Sequence, residues 1–437
     1  VKRFEADLDI EALGARGDGL ATVEGERVYV PFAAPGDRVR VRLKPERGGG
    51  WLGELSGLLR ASPDRVEPRC RHFGVVPGVR ADACGGCALQ HLAAPAYRAF
   101  KLRLLHDALD RFALSVGAIE PLHSSPPGSR RHVTLAAVRR RDDLVLGFNA
   151  RASHRVVDLA ECPVARPEIV AAIAPLRETL MGLMKAGDSA DVRLVWSDSG
   201  LDVLLTTAAR LGAAGWERLA ALAETLDAAR ISRAHPTREG IELVVERRPV
   251  RLALGDLTVA LPPGGFLQAT ADGEAALRET VLSAAQSAVG GARLVADLYA
   301  GIGTFALPLA AAGAKVHAVD VVRAPLEALS GAARAAGLAG VSVEARNLHR
   351  RPVSADELRG GDLIVFDPPR AGAKAQAAEI AESGVPCVVA VSCNPATFAR
   401  DARLLVDGGY RITRIKPVDQ FLWSPHLELA AVFERDG

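Results

Sequence analysis

The stretch RLVADLYAGIGTFALPL, residues 293–309, decides the fold. An apolar run reaches Asp297, a turn carries Gly301 and Gly303, and a second apolar run opens at Ala306. The spacing G-x-G-x-x-A after a strand is the turn in which small residues let a ligand approach the backbone. An acid and several glycines interrupt the run, so it reads as a buried strand and helix and not as a membrane span. Working outward, KVHAVD (315–320), VSVEAR (341–346), DLIVFD (362–367) and PCVVAVS (386–392) are further strands, and helical spacing extends to Ala312 and to Leu338. Two more strands follow near 410–418 and 427–434. Strands alternating with helices predict a doubly wound, Rossmann-like sheet with ligands at the strand C-terminal ends.

Two cofactors compete for such a turn, a dinucleotide and S-adenosylmethionine. Asp297, just before the glycines, would repel a pyrophosphate at the helix N-terminus, whereas it suits the ammonium group of a methionine moiety. Asp320 ends the next strand, where a carboxylate accepts from the ribose hydroxyls of either cofactor. The aspartate before the glycines favours S-adenosylmethionine.

Asp367 is followed by two prolines in DPPR (367–370), a rigid, donor-poor turn that holds a carboxylate over a flat base or cofactor edge. The next strand ends in SCNPATF, with Cys393 before Asn394 as N-cap and Pro395 in the first helical turn. A helix N-terminus favours a thiolate, as a nucleophile needs, while Cys387 in mid-strand reads as a small buried hydrophobe. Carbon 5 of uracil does not take a methyl group unaided. A thiolate added to carbon 6 creates an enolate whose carbon 5 attacks an electrophilic methyl, and a base must then remove the carbon-5 proton. HLELAAVF (426–433) supplies His426 and Glu428 for that role.

The remaining 60% of the chain is organised differently. At 437 residues it exceeds one ordinary core and predicts two or three domains. A composition of 49% hydrophobic and 24% charged residues excludes a disordered or fibrous chain. A net charge of +2 excludes a polycation, so a nucleic-acid surface must be local. Without a secretory opening, the chain is expected to be cytoplasmic, with reduced thiols, no membrane partner and a monomeric state.

Residues 1–60 alternate apolar and polar positions between glycine and proline turns, which predicts a small β-barrel. Within it Arg38, Arg40, Arg42 and Lys44 fall on one face of a strand, either as a solvated edge or as a phosphate-binding stripe. Residues 61–262 read as a central α/β domain, with one helix over 96–114 and strands at 193–196, 202–207, 241–246 and 257–261; the catalytic domain spans 263–437. A second basic patch gathers Arg130, Arg131, His132, Arg139, Arg140, Arg141, Arg151, His154 and Arg155, with Asp142 and Asp143 the acids among them. Cys70, Cys84, Cys87 and Cys162 form C-x13-C-x2-C…C, a set that suits zinc or an iron–sulfur cluster equally.

Taken in order, GGFLQAT, DLYAGIGTF, DPPR, SCNPATFARD and HLELAAVFER resemble the motifs of the RNA uracil-5-methyltransferases, in particular the iron–sulfur branch acting on large-subunit ribosomal RNA. The resemblance spans essentially the whole chain and implies a TRAM module for the barrel. It implies cofactor contacts at Gln268, Tyr299, Thr304, Asp320, Asn347 and Asp367, Cys393 as nucleophile and Glu428 ahead of His426 as base. It further implies that the four cysteines hold a 4Fe–4S cluster, structural or RNA-orienting in role, and that the helix after them packs with the catalytic domain. One departure is the longer gap after HFG, where VVPGVRADA (75–83) intervenes; a loop absorbs such an insertion at small entropic cost. The implied substrate is 23S rRNA, with a transfer-RNA uridine methyltransferase as alternative and an iron–sulfur RNA-binding protein with a vestigial cofactor fold as the non-enzymatic one.

Overall fold

The computed structural model describes residues 4–46, 49–74, 83–288 and 291–435; most of the insertion after HFG, residues 75–82, lies outside them. The first sheet comprises β1 (Phe4–Asp9), β2 (Ala12–Leu13), β3 (Gly19–Val23), β4 (Glu26–Val30), β5 (Arg38–Pro45) and β6 (Trp51–Arg60), in the order β1-β5-β6-β4-β3-β2. Period-two alternation builds its core: Val39, Val41 and Leu43 point in with Leu8, Ile10, Val28 and Val30, while Arg38, Arg40 and Arg42 point out. The cation stripe is there, but it is neutralised. Antiparallel β1 sets Glu5, Asp7 and Asp9 opposite Arg42, Arg40 and Arg38, with ion-pair distances of 3.7, 2.7 and 3.7 Å, and Lys44 pairs with Glu54. These pairs favour the solvated-edge reading of the stripe; the acids of FEADLD share its period and occupy the facing positions.

α1 (Ala94–Arg111), β7 (Val116–Ile119) and β8 (His123–Ser124) follow, and then the second sheet. Its strands are β9 (His132–Arg139), β10 (Leu144–Asn149), β11 (Val156–Asp158), β12 (Ser189–Ser197), β13 (Gly200–Thr207), β14 (Arg230–His235) and β15 (Arg238–Glu246), in the order β11-β10-β9-β12-β13-β14-β15. α2 (Pro167–Ala171), α3 (Ile173–Leu183) and α4 (Ala213–Thr225) cover one face through Ile169, Leu176, Leu180, Leu219 and Leu222. A hairpin of β16 (Arg251–Leu254) and β17 (Leu257–Ala260) leads to α5 (Ala271–Ser287), a helix the sequence reading did not foresee because Asp272 and Gly273 open it like a loop.

The third sheet contains β18 (Leu294–Leu298), β19 (Lys315–Asp320), β20 (Val341–Ala345), β21 (Leu363–Phe366), β22 (Cys387–Ser392), β23 (Tyr410–Asp419) and β24 (Glu428–Arg435). Between them run α6 (Ala306–Ala311), α7 (Arg323–Ala335), α8 (Ala355–Leu358), α9 (Lys374–Ser383) and α10 (Pro395–Asp407). The order is β20-β19-β18-β21-β22-β24-β23-β7, parallel from β20 to β22 and antiparallel on both sides of β24. Every residue of β21 and β22 is buried, as parallel strands covered on both faces require. β7 and β8, early in the chain, pair with β23, and Leu105 and Leu109 of α1 join the same core as Ile364, Phe398 and Phe433. Each of these leucines contributes roughly 2 kcal/mol to that docking. No described helix is long and apolar enough to cross a membrane.

One polar cluster fastens α1 to the turn between β23 and β24. The fully buried Lys101 donates to Asp419 at 2.7 Å, to the Phe421 carbonyl at 3.3 Å and to the His426 carbonyl. Tyr97 donates to the other Asp419 oxygen at 2.5 Å and accepts from the Trp423 N–H at 2.8 Å. Lys101→Met leaves a buried Asp419 without its cation, which is expected to cost about 3–5 kcal/mol, with part recovered by adding Asp419→Asn. Denaturant unfolding of the single and double variants checks this; an unchanged midpoint for Lys101→Met would contradict it.

Candidate active site

Strand order reverses at the β18/β21 pair, which opens a crevice at their C-terminal ends. Asp297 lies there fully buried, and neither carboxylate oxygen has a hydrogen-bond partner. Burial pushes its carboxyl well above the usual range; the nearby Ala306 N–H opposes the rise, and Asp367 and Asp320 add to it. Gly303 (φ 91°) packs so closely on α7 that a Cβ would stand 2.8 Å from Leu329, whereas a Cβ on Gly301 (φ 54°) would meet nothing within 4 Å. The first glycine serves helix packing, the second leaves room for a ligand. Asp320 braces this turn by accepting from the Gly301 and Val322 N–H groups at 3.0 and 2.9 Å. Tyr299 takes a positive φ of 65°, and its buried hydroxyl is unpartnered. Thr304 is half-buried in the same turn, and Asn347 accepts from the His349 and Arg350 N–H groups at 3.1 and 3.2 Å.

Cys393 is half-buried at the end of β22, and Asn394 caps α10 by accepting from the Ala396 N–H at 3.1 Å, as the sequence predicts. The thiol, however, is pushed up to about 12, first by burial and then by Glu428 and Asp367, with Arg370 opposing. The helix N-terminus is outweighed because two carboxyl groups share the thiol's low-dielectric surroundings. Asp367 is itself raised to about 7 by burial, despite a 2.9 Å hydrogen bond from Gln268. Glu428 opens β24, is buried, and is raised well above the carboxylate range by burial and by Asp367. His426 is pulled down to about 4 by burial and by Arg370, Lys101 and Arg130, so it is neutral, and it stands 3.5 Å from Arg370.

A residue that sequence reasoning missed joins the two acids. Gln420, at the end of β23, donates to Glu428 at 2.8 Å and to Gln268 at 2.7 Å, and Gln268 donates to Asp367. A polar Asp419-Gln420 pair directly after Val418, at the strand's end, was the available signal. Part of the second basic patch supports this frame, whereas Arg140, Arg141, His154 and Arg155 are exposed. Arg131 is buried and holds the Gln268 carbonyl at 3.1 Å and Glu274 at 2.5 Å; His132 is half-buried and pulled down to about 3 by desolvation and by Arg130, Arg193 and Arg131. Arg140 pairs with Asp143 at 3.6 Å, and Arg151 with Asp18.

The four N-terminal cysteines are brought together. Burial pushes Cys70 to about 11 and Cys87 to about 12 and raises Cys84, and the neighbouring Cys162 adds to each. The Gly86 N–H donates to the Cys84 sulfur at 3.4 Å. Among the described residues, no three His, Cys, Asp or Glu side chains are set at the separation of a single bound metal ion.

These features have counterparts in known proteins. An RNA methyltransferase of Caulobacter vibrioides, itself uncharacterised, is 44% identical over 98% of this chain and 100% of its own length. A 23S rRNA (uracil(1939)-C(5))-methyltransferase of Chromohalobacter salexigens is 35% identical over 98% of this chain and 89% of its own. The chain belongs to the RNA uracil-5-methyltransferases. The family profile tRNA (Uracil-5-)-methyltransferase matches residues 223–436 of this methyltransferase, and a TRAM profile of tRNA (uracil(54)-C(5))-methyltransferases matches residues 7–63. The crystal structure of Pyrococcus abyssi tRNA (uracil-54, C5)-methyltransferase with S-adenosyl-L-homocysteine superposes with a TM-score of 0.73 at 25% identity, over 98% of this methyltransferase and 100% of that chain.

With the Cys393 thiol raised to about 12, its alkylation rate in the free enzyme is expected to climb about tenfold per pH unit and to be still climbing near pH 10. Iodoacetamide labelling followed by mass mapping of the Cys393 peptide checks this. A plateau below about pH 9 would show a thiolate already formed in the resting site.

Proposed function

We propose that this enzyme uses S-adenosylmethionine to methylate carbon 5 of a uridine in 23S rRNA through a covalent bond between Cys393 and carbon 6. The observation that carries the reading is the grouping of Cys393, Glu428 and Asp367 at adjacent strand ends, close enough for each acid to shift the thiol. Asp297 and Asp320 lie on the same rim, and the elevation of Asp297 by burial, Asp367 and Asp320 calls for a cationic ligand. The orphaned Asp297 carboxylate, the unpartnered Tyr299 hydroxyl and the space beside Gly301 fit a cofactor bearing an ammonium and a sulfonium. Gln268, Asp297, Tyr299, Gly301, Gly303, Thr304, Asp320, Asn347 and Asp367 would hold it. When bound, it supplies an electrophilic methyl group to carbon 5 of the base.

The chain's own residues do the rest. Cys393 adds to carbon 6 and loses its thiol proton as the bond forms, which makes carbon 5 nucleophilic. Glu428 then removes the carbon-5 proton, the double bond returns, and Cys393 leaves carbon 6. Buried and raised by its surroundings, Glu428 has the basicity this step needs, whereas His426, pulled down to about 4, is a weak base.

Cys70, Cys84, Cys87 and Cys162 would hold a 4Fe–4S cluster: they are neighbouring thiols, and Cys70, Cys84 and Cys87, raised by burial, would be bound as thiolates. Its contribution would be to tie the connector to the 157–165 segment, and no step of the methylation passes through it. The chain would then divide into 1–60, 61–262 and 263–437, with 94–124 assigned to the catalytic unit. The ribosomal target follows the 35% identical relative over nearly the whole chain; a transfer-RNA target has the Pyrococcus superposition on its side.

RNA in which the target carries 5-fluorouridine should form a stable adduct with the enzyme, because fluorine cannot leave as a cation. Cys393→Ala should form none, and trapping by that variant would refute the nucleophile. Mapping 5-methyluridine in a deletion strain decides the target: loss from transfer RNA with ribosomal sites intact would overturn the choice. A cation beside Asp367 favours its ionised form, so below about 7 binding must release a proton, and cofactor affinity should fall up to about tenfold per pH unit. Calorimetry at about pH 6 and about pH 8 measures this, with Asp367→Asn expected to abolish the slope.

A further inference from the structure

A backbone N–H can only donate. The Ala269 N–H lies 2.8 Å from Gln420 Oε1, so that atom is the amide oxygen and the nitrogen faces the other way. Gln420 Nε2 has two hydrogens and meets two acceptors, Gln268 Oε1 at 2.7 Å and Glu428 Oε2 at 2.8 Å. A flipped amide would set oxygen against both acceptors and NH2 against the backbone N–H. Gln268 is oriented in turn, because its oxygen is occupied and its Nε2 therefore donates to Asp367 at 2.9 Å. One main-chain group thus aligns two amides and presents an N–H to each acid. Glu428, only 2% exposed, has Oε2 engaged and Oε1 buried with no partner.

We propose that Gln420 is a positioning residue that commits Glu428 Oε2 as an acceptor and so makes Oε1 the atom that takes the carbon-5 proton. This rests on the assignment of Cys393 and Glu428 above. In the release step Oε1 forms the O–H bond, the C5–H electron pair becomes the C5–C6 double bond, and the C6–Sγ pair returns to Cys393 as thiolate. The donated N–H also favours the ionised form of Glu428, the form able to act as base. Gly273, in the first turn of α5, leaves room for this arrangement: a Cβ there would stand 2.7 Å from the Thr270 Oγ1 that caps the helix, 3.0 Å from Gln420 Cβ and 3.3 Å from its Oε1. Glycine is otherwise a poor helix residue, and close approach to Thr270 and Gln420 accounts for it.

The test uses full-length enzyme, ordinary RNA bearing the target uridine and labelled cofactor in single turnover. Gln420→Met keeps the shape and removes the donor; Gly273→Ala keeps every polar atom and crowds the amide and the Thr270 cap. Both should slow release of RNA at least about tenfold more than they slow methyl transfer, so that a methylated, denaturation-resistant adduct builds up. Loss of the donor raises Glu428 further, so the pH of half-maximal release should move upward. If transfer and release fall together with no adduct, Gln420 is merely structural and the proposal is overturned. Glu428→Gln separates the two levels. Should it release RNA normally, the base assignment has failed; should it stall while both other variants release normally, the relay has failed and the assignment stands.

Discussion

The buried ammonium of Lys101 is the constraint on which the rest depends. Taking a lysine and an aspartate fully out of water costs several kcal/mol for each ion, and the arrangement survives only with good geometry and additional hydrogen bonds. Here Asp419, two carbonyls and Tyr97 provide them. All of the acceptors lie between the end of β23 and the start of β24, the segment that carries Gln420, Phe421, His426 and Glu428. The donors lie on α1, more than three hundred residues earlier. The same segment is held from the cysteine side, where the Ala88 and Leu89 N–H groups donate to the Trp423 carbonyl at 2.8 and 3.0 Å. Connector, helix and catalytic turn are therefore one packed unit.

Against that fixed frame the site is built with too much negative potential. Asp367 and Asp320 add to the burial that raises Asp297, and Glu428 and Asp367 add to the burial that raises Cys393. The free protein limits this by keeping protons on the groups it cannot ionise. A cationic cofactor would remove the reason for those protons, so in the proposed mechanism cofactor binding and ionisation of these acids are coupled through charge.

The doubly wound sheet was legible because its strands are continuous apolar runs that end in marked residues, Asp297, Asp320, Asp367 and Cys393, and parallel strands buried on both faces leave that signature. The barrel was legible from its alternation. What stayed hidden depended on pairing between distant segments. β7 and β8 are too short to announce themselves and exist because β23 offers an edge. Gln420 looks like any strand-end amide until Ala269 and Glu428 meet it. The thiol at Cys393 was expected low from its helix and is high from its neighbours, a difference set by residues 26 and 35 positions away in sequence.

Charge patterning misled for the same reason. Counting cations along β5 ignores that β1 returns antiparallel with acids in phase, and counting them near Arg130 ignores that Arg131 is buried. Three arginines are held against rings without a carboxylate partner among the described residues: Arg69 over Trp423, Arg130 over Phe421, Arg370 beside His426. Each sits on the turn that Lys101 immobilises. Guanidinium groups held over aromatic rings, as Arg69 and Arg130 are, keep their charge while losing mobility, which suits contact with phosphates beside an unstacked base. These cations ride on the same segment as Glu428, the base of the proposed mechanism.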